Sequence, residues 1–139
     1  MQPKRVRIAM ATLKQGDSYL LQQRGYDPNI GAAGLIGFFG GKIEQDESPL
    51  AAVCREISEE TTLVLDADRG RYLGSVVVPS DMYKQPLEVH ASVFGFNVDP
   101  VIRAVAKEGD MITMSAEELR AADARLTPAT LAWLKQSNG

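Results

Sequence analysis

The sequence predicts an α/β (α+β) fold in which helices pack against one mixed sheet, within a single domain over residues 1–139. Two patterns indicate it. Aliphatic segments bounded by turn residues are typical of strands, and Ser or Thr followed by Pro, or by Glu three residues later, marks helix starts. A chain of 139 residues has the commonest domain size and can bury one sizeable core.

The strand pattern recurs along most of the chain. Residues 14–17, with Gly16 and Asp17, form the turn between the first two segments. Residues 26–34 are predicted to form a loop long enough to face a substrate. The predicted strands are residues 6–13, 18–24, 71–79, 87–98 and 111–114.

Three helices are predicted from their first residues. Pro fits the first helical position, and Ser followed by Glu at the third position can form a capping box. In the last helix, Leu131 and Leu134 are expected to face the core. The three predicted starts are Ser48-Pro49, Ser115 with Glu118, and Thr127-Pro128.

Composition narrows the classes of partner. Hydrophobic residues make up 45% and charged residues 24%, as in ordinary globular proteins. A net charge of -3 argues against a nucleic-acid polymer as partner. Residues 30–41 are uncharged, but the segment is too short to span a bilayer. With no signal peptide recognised, a cytoplasmic protein without a membrane partner is expected.

The single Cys54 falls on an apolar helix stripe and is expected to pack in the core.

The first helix carries an acidic face. Glu56, Glu59 and Glu60 are spaced i, i+3 and i+4, which places three carboxylates on one side of a helix. Like charges at this spacing repel one another, and a hard cation such as Mg²⁺ or Mn²⁺ would compensate them. A solvated acidic helix face is the alternative.

The segment around these acids favours the cation. Gly40-Gly41 precedes the helix, and paired glycines let main-chain oxygens approach a ligand. Gly41, five residues, Glu47, seven residues, and then Arg-Glu-Ile-Ser-Glu-Glu-Thr-Thr-Leu over residues 55–63 resemble the Nudix box. The resemblance implies an α/β/α sandwich whose box loop and helix form the catalytic floor. It also implies metal-dependent hydrolysis of a nucleoside diphosphate linked to another group, X.

Three residues depart from the pattern of the family. Thr62 occupies the position of the last glycine, where a left-handed helix end would strain a β-branched residue. Asp46 stands where related boxes often have glycine, and Phe39 where many have proline. None of the three replaces a carboxylate.

The resemblance implies a role for each box residue. Glu56 and Glu60 are the expected metal ligands, Glu59 is a further ligand or base, and the carbonyl of Gly40 completes the shell. Arg55 is expected to pair with and orient Glu59, four residues on. Glu47 is expected to hold the ligands in position without itself contacting the metal. Glu44 remains open between ligand and solvated side chain.

Related short enzymes take another acid from a late loop, as metal ligand or general base. Glu108, in the sequence Lys-Glu-Gly-Asp of residues 107–110, resembles that acid, and Asp110 is the reserve. A solvated turn is the alternative for this segment.

The substrate is less defined. Arg24 and Arg103 are candidate phosphate contacts, and Phe38 is a candidate base contact. Each also has an ordinary structural explanation. The sequence of residues 37–44 resembles that of relatives that act on nucleoside triphosphates or nucleotide sugars. Pro79, in contrast, lies where ADP-ribose-cleaving relatives tend to have a proline. A small-molecule nucleotide is therefore the expected partner, for a monomer or a homodimer. A Nudix-fold module that binds nucleotides without cleaving them is the alternative function.

Overall fold

The structure, a computed structural model, describes residues 2–27, 32–80 and 86–137. Residues 28–31 of the predicted loop therefore lie outside the described residues. The strands are β1 Lys4–Gln15, β2 Ser18–Gln23, β3 Ile36–Gly37, β4 Phe39–Lys42, β5 Arg71–Ser80, β6 Leu87–Asn97 and β7 Asp110–Ser115. The helices are α1 Pro49–Glu60, α2 Ala116–Arg120 and α3 Pro128–Ser137, with short 3₁₀ turns at Ala67–Arg69 and Asp123–Arg125.

Strand β1 organises the mixed sheet. It runs parallel to β6 along one edge, from Lys4 opposite Leu87 to Lys14 opposite Asn97. Its other edge is shared: β4 pairs with its middle, and β2 pairs with its end in a hairpin. The five-strand path is β3-β2-β1-β6-β5, with β7 on β2 and β4 on β1. Five of the six strand pairings are antiparallel.

The two faces of the sheet carry separate cores. Successive strand residues point to opposite faces, and β1 supplies Ala9 and Ala11 to one core and Met10 to the other. Val53 and Ile57 of α1 pack on the first face. Trp133 of α3 packs on the second, where α2 also contributes. This arrangement confirms the predicted α/β/α layers.

The helix starts agree with their predicted signals. The Ser48 side chain accepts a hydrogen bond from the amide of Ala51, and the capping box of α2 is complete. In α3 the buried residues are Ala129, Thr130 and Trp133, while Leu131 and Leu134 are only partly buried. The predicted core face of α3 was therefore only partly right. No helix within the described ranges has the length and apolar character needed to cross a bilayer.

Candidate functional site

The end of α1 lies directly against β4. The Glu60 side chain is only 6% exposed, and its Oε1 accepts a hydrogen bond from the amide of Gly40 over 3.2 Å. A Cβ atom at Gly41 would collide with the Glu56 carboxyl group, and one at Gly40 with the carbonyl oxygen of Ala9. The two glycines therefore allow the acidic end of the helix to approach the strand.

Glu60 is the most perturbed carboxyl group of the site. Burial, followed by the negative charges of Glu56 and Glu108, raises its pKa to about 8. The Gly40 amide and the positive charge of Arg24 oppose that rise. The structure thus brings together two acids of α1, the predicted late acid and the predicted phosphate-binding arginine.

Arg55 lies at the centre of the remaining box acids. Its Nε and Nη2 donate to the two carboxylate oxygens of Glu47 over 2.8 and 2.9 Å. Nη1 donates to Glu56 over 2.9 Å, and Nη2 also donates to the carbonyl of Lys42 over 2.9 Å. The predicted pair with Glu59 is present but longer, at 3.3 Å. Arg55 therefore joins α1 to the loop before it.

Glu47 is held firmly by this arrangement. The hydrogen bond from Arg55, then that from the amide of Glu44, lowers the pKa of Glu47 to about 2. Bonds to both Glu44 and Arg55 place the Glu47 carboxylate between the loop and the helix. The Glu59 and Glu44 side chains are 57% and 68% exposed, and Glu44 reaches Arg55 only at 3.8 Å.

Residues 105–108, which we call the late segment, are hydrogen-bonded to the end of α1. Thr61 and Ala106 form an antiparallel bridge, and the amide of Lys107 donates to the Glu60 carbonyl over 2.6 Å. Glu108 follows immediately and is exposed. The main chain of the segment thereby contacts Glu60 at the end of the helix, and the negative charge of Glu108 contributes to the raised pKa of Glu60.

Gln22 was missed in the sequence. Its buried side chain donates from Nε2 to the main-chain carbonyl of Glu108 over 3.0 Å. Gly109 adopts φ of +66°, and a Cβ there would collide with the carbonyl of Gln23. Asp110 already belongs to β7, opposite Gln23. The only sequence signal was a polar residue at the end of an aliphatic strand.

An open cavity of about 180 Å³ adjoins the Gly40 side of the site. Arg24, Gly40 and Phe38 line it, with Phe38 otherwise buried in the core and its amide bonded to Thr130 Oγ1. Arg103 is exposed between β6 and β7 and is not part of this lining. The rest of the wall is largely apolar and includes Met10, Val78, Val89 and Ala129.

The three departures from the box have different structural outcomes. Asp46 takes the left-handed conformation, with φ of +65°. The non-glycine residues with positive φ in the described ranges are Ala32, Asp46 and Asp123, so Thr62 is not left-handed. The helix ends instead at Thr61, with φ of -139°. Phe39 is fully buried in the core beneath α1.

The candidate donors suit a hard cation. They are carboxylate oxygens and a main-chain carbonyl, the ligands that Mg²⁺ and Mn²⁺ prefer. Across residues 2–27, 32–80 and 86–137, no three acidic, histidine or cysteine side chains form a ready-made metal cluster. A bound ion would therefore also need waters or substrate phosphates, as is usual for Mg²⁺.

Comparison with known structures supports the fold. A structure of a MutT protein from Methanosarcina mazei Go1 matches with a TM-score of 0.80 and 20% identity, over 99% of this chain and 96% of that one. A MutT NUDIX hydrolase from Burkholderia pseudomallei matches with a TM-score of 0.74 and 23% identity, over 96% and 98%. At these identities the two structures show the fold alone.

A curated sequence relative is the CTP pyrophosphohydrolase of Escherichia coli strain K12. It is 38% identical over 72 residues, a match that spans 52% of this chain and 50% of that protein. The model of the NUDIX domain matches residues 2–137. The chain therefore belongs to the Nudix family.

Proposed function

We propose that this protein, as one domain, is a pyrophosphohydrolase that requires Mg²⁺ or Mn²⁺ and cleaves a nucleoside diphosphate linked to another group, X. One observation carries the proposal. The buried Glu60 carboxyl group faces the charges of Glu56 and Glu108 and that of Arg24, beside an open cavity. Excess negative charge next to a space for a ligand is what a cation-phosphate complex would neutralise.

The metal ligands in this proposal are carboxylates and one carbonyl: Glu56, Glu59, Glu60, Glu108 and the main chain of Gly40. A bound cation supplies neutralisation of the phosphate oxygens and a more acidic water molecule. Arg55 orients Glu56 and Glu59, and it is itself fixed by Glu47. Such partners of metal ligands keep the ligand oxygens in place.

The proton of the attacking water requires a base. Glu108 and Glu59 are the two candidates, because both are exposed acids next to the buried carboxylate of the site. We favour Glu108, because the segment before it is fastened to α1 and its own carbonyl is held by Gln22. A base must come within hydrogen-bond reach of the water. A segment that is already hydrogen-bonded to α1 loses less conformational freedom when the substrate binds.

In this proposal the nucleoside binds in the cavity beside Gly40. Its largely apolar wall suits a nucleobase, Phe38 supplies an aromatic face, and Arg24 is a cation for phosphate oxygens. Arg103 would reach phosphates only from the surface outside the cavity. The name of the curated relative favours a nucleoside triphosphate over a nucleotide sugar as the substrate. ADP-ribose is included among the substrates to be tested.

The proposal is tested with a substrate panel. Nucleoside triphosphates, nucleotide sugars, ADP-ribose and dinucleoside polyphosphates are each incubated with Mg²⁺ or Mn²⁺, with and without excess chelator. We expect cleavage of at least one class, loss of turnover on chelation, and recovery on adding cation. Glu60→Gln, which keeps the size and removes the charge, should lower kcat by about 10². Nucleotide binding without cleavage would instead favour the non-catalytic module.

A further inference from the structure

Thr62 makes a two-way contact that a glycine could not make. Its amide donates to the carbonyl of Val105 over 2.9 Å, and its hydroxyl oxygen accepts from the Val105 amide over 2.9 Å. The second bond depends on the side chain. This position is the one at which the chain departs from the fixed glycine of the box.

The contact is the first of several that place the late segment. Thr61 bridges to Ala106, and the carbonyl of Glu60 accepts from the amide of Lys107. The Lys107 ammonium group also donates to the Ser58 carbonyl over 3.2 Å. Consecutive residues of the segment are thus aligned with consecutive residues at the end of α1, and Glu108 comes next.

The helix end does not need the Thr62 hydroxyl for its own capping. The Thr61 hydroxyl and amide both donate to the Ile57 carbonyl, and the Thr61 hydroxyl oxygen accepts from the amide of Leu63. Thr61 is buried, whereas Thr62 is exposed. A purely structural capping role therefore belongs to Thr61.

We propose that Thr62 is a positioning residue, whose hydroxyl fixes the register of residues 105–108 on α1 and so holds Glu108 beside the acids of the helix. The inference rests on the proposed function, because it gives Glu108 a task at the metal site. It assigns Thr62 a role that acts through Glu108 rather than through contact with metal or substrate.

The test compares four single variants and the Thr62→Val/Glu108→Gln double variant in the full chain. Thr62→Val removes the hydroxyl and keeps the branched shape, Thr62→Ser restores the hydroxyl, and Glu108→Gln removes the acid. Thr113→Val, at an exposed threonine of β7, is the matched control. Mn²⁺ affinity of the substrate-free protein is measured by electron paramagnetic resonance, and kcat and KM are measured with the best substrate of the panel.

We expect Thr62→Val to weaken Mn²⁺ binding and lower kcat by about three- to tenfold each, as the loss of one exposed hydrogen bond allows, with KM nearly unchanged. Thr62→Ser should stay within about twofold of wild type, and so should Thr113→Val. In the Glu108→Gln background, Thr62→Val should add almost nothing, because both changes act on one group.

The inference would be overturned if Thr62→Val lowered kcat by the same factor in the wild-type and Glu108→Gln backgrounds. It would also be overturned if Thr62→Val left the Mn²⁺ affinity unchanged. A serine variant as impaired as the valine variant would overturn it too. A protein that binds Mn²⁺ with the expected pattern but cleaves no substrate would remove the proposed activity and leave the positioning role. A protein that binds no Mn²⁺ without substrate and cleaves no substrate of the panel would overturn both.

Discussion

Gly40 and Glu60 are joined by a hydrogen bond from the strand to the helix, 3.2 Å from the Gly40 amide to Oε1 of Glu60. Together with the charge of Arg24, it is the favourable contact that offsets part of the burial of this carboxylate. Glu56 on the same helix and Glu108 on the late segment act in the opposite direction. Metal-free protein therefore holds Glu60 more easily in its protonated form.

The first prediction is a stability that falls with pH in metal-free protein. The pKa of Glu60 rises from an ordinary value of 4.5 to about 8 on folding. Between these values the folded chain binds more protons than the unfolded chain, so the free energy of unfolding decreases as pH rises. Thermal melts from pH 5 to 8 in chelator should therefore show a decreasing Tm. Added Mn²⁺ should raise Tm more at pH 8 than at pH 5.

Glu60→Gln is the control for this pH dependence. Glutamine does not ionise, so the variant should lose most of the decrease between pH 5 and 8. Glu47 has the opposite shift, to about 2, and affects stability only in acid, below its ordinary value of 4.5. A wild-type Tm that stays flat or increases across pH 5 to 8 would contradict the prediction.

The second prediction concerns Arg55. Arg55→Lys keeps the charge but cannot pair with both Glu47 oxygens while also contacting Glu56 and the Lys42 carbonyl. We expect kcat to fall by about 10- to 100-fold, as for other partners of metal ligands, and the melting temperature to fall as well, because some of the bonds that join α1 to the loop are lost. Arg69→Lys, at an exposed arginine of a 3₁₀ turn, is the matched control. Activity of Arg55→Lys within twofold of wild type would show that a single positive charge suffices.

The sequence predicted the local elements of the fold better than their pairing. Strands such as β5 and β6 differ from the predicted segments by a residue at one end, because turn residues and aliphatic runs mark them locally. The parallel alignment of β1 with β6 joins residues about eighty positions apart, and no local signal encodes it. The short β3 and β4 were not predicted as separate strands, since two to four residues carry no periodicity.

The third prediction compares two glycine substitutions. Thr62 lies in ordinary backbone geometry, so Thr62→Gly should lower the free energy of unfolding by about 1 kcal/mol through chain entropy and the lost side-chain hydrogen bond. Asp46 has φ of +65°. There the relief of left-handed strain, about 1 kcal/mol, nearly cancels the entropy cost of glycine.

Thermal and urea melts of both variants decide this comparison. The expected result is a clear loss for Thr62→Gly and a change of less than about 0.5 kcal/mol for Asp46→Gly. Equal losses at the two positions would contradict the assigned backbone conformations. Neither change removes a carboxylate of the site.

The sequence predicted only part of the arrangement around the end of α1. The spacing of Glu56, Glu59 and Glu60 predicts one acidic helix face, whereas in α1 Glu60 is buried and the Glu59 side chain is largely exposed. The spacing could not show that Arg55 bonds most closely to Glu47, because loop and helix meet only in the folded chain. Gln22 was equally hidden, since its partner is a main-chain carbonyl 86 residues away.

The last prediction separates the two late acids. Glu108 follows the segment fastened to α1, and its charge acts on Glu60. Asp110 is fixed in β7 opposite Gln23, and its shorter side chain starts from a paired strand. We therefore expect Glu108→Gln to lower kcat by roughly 10- to 10³-fold with little change in KM, and Asp110→Asn to cost less than about tenfold. Steady-state rates over a range of pH are the measurement, and the Glu108 variant should lose or shift the acidic limb of its profile. If Asp110→Asn is the more damaging change, or neither variant is impaired, the proton goes to a box acid, and Glu59 becomes the residue to replace.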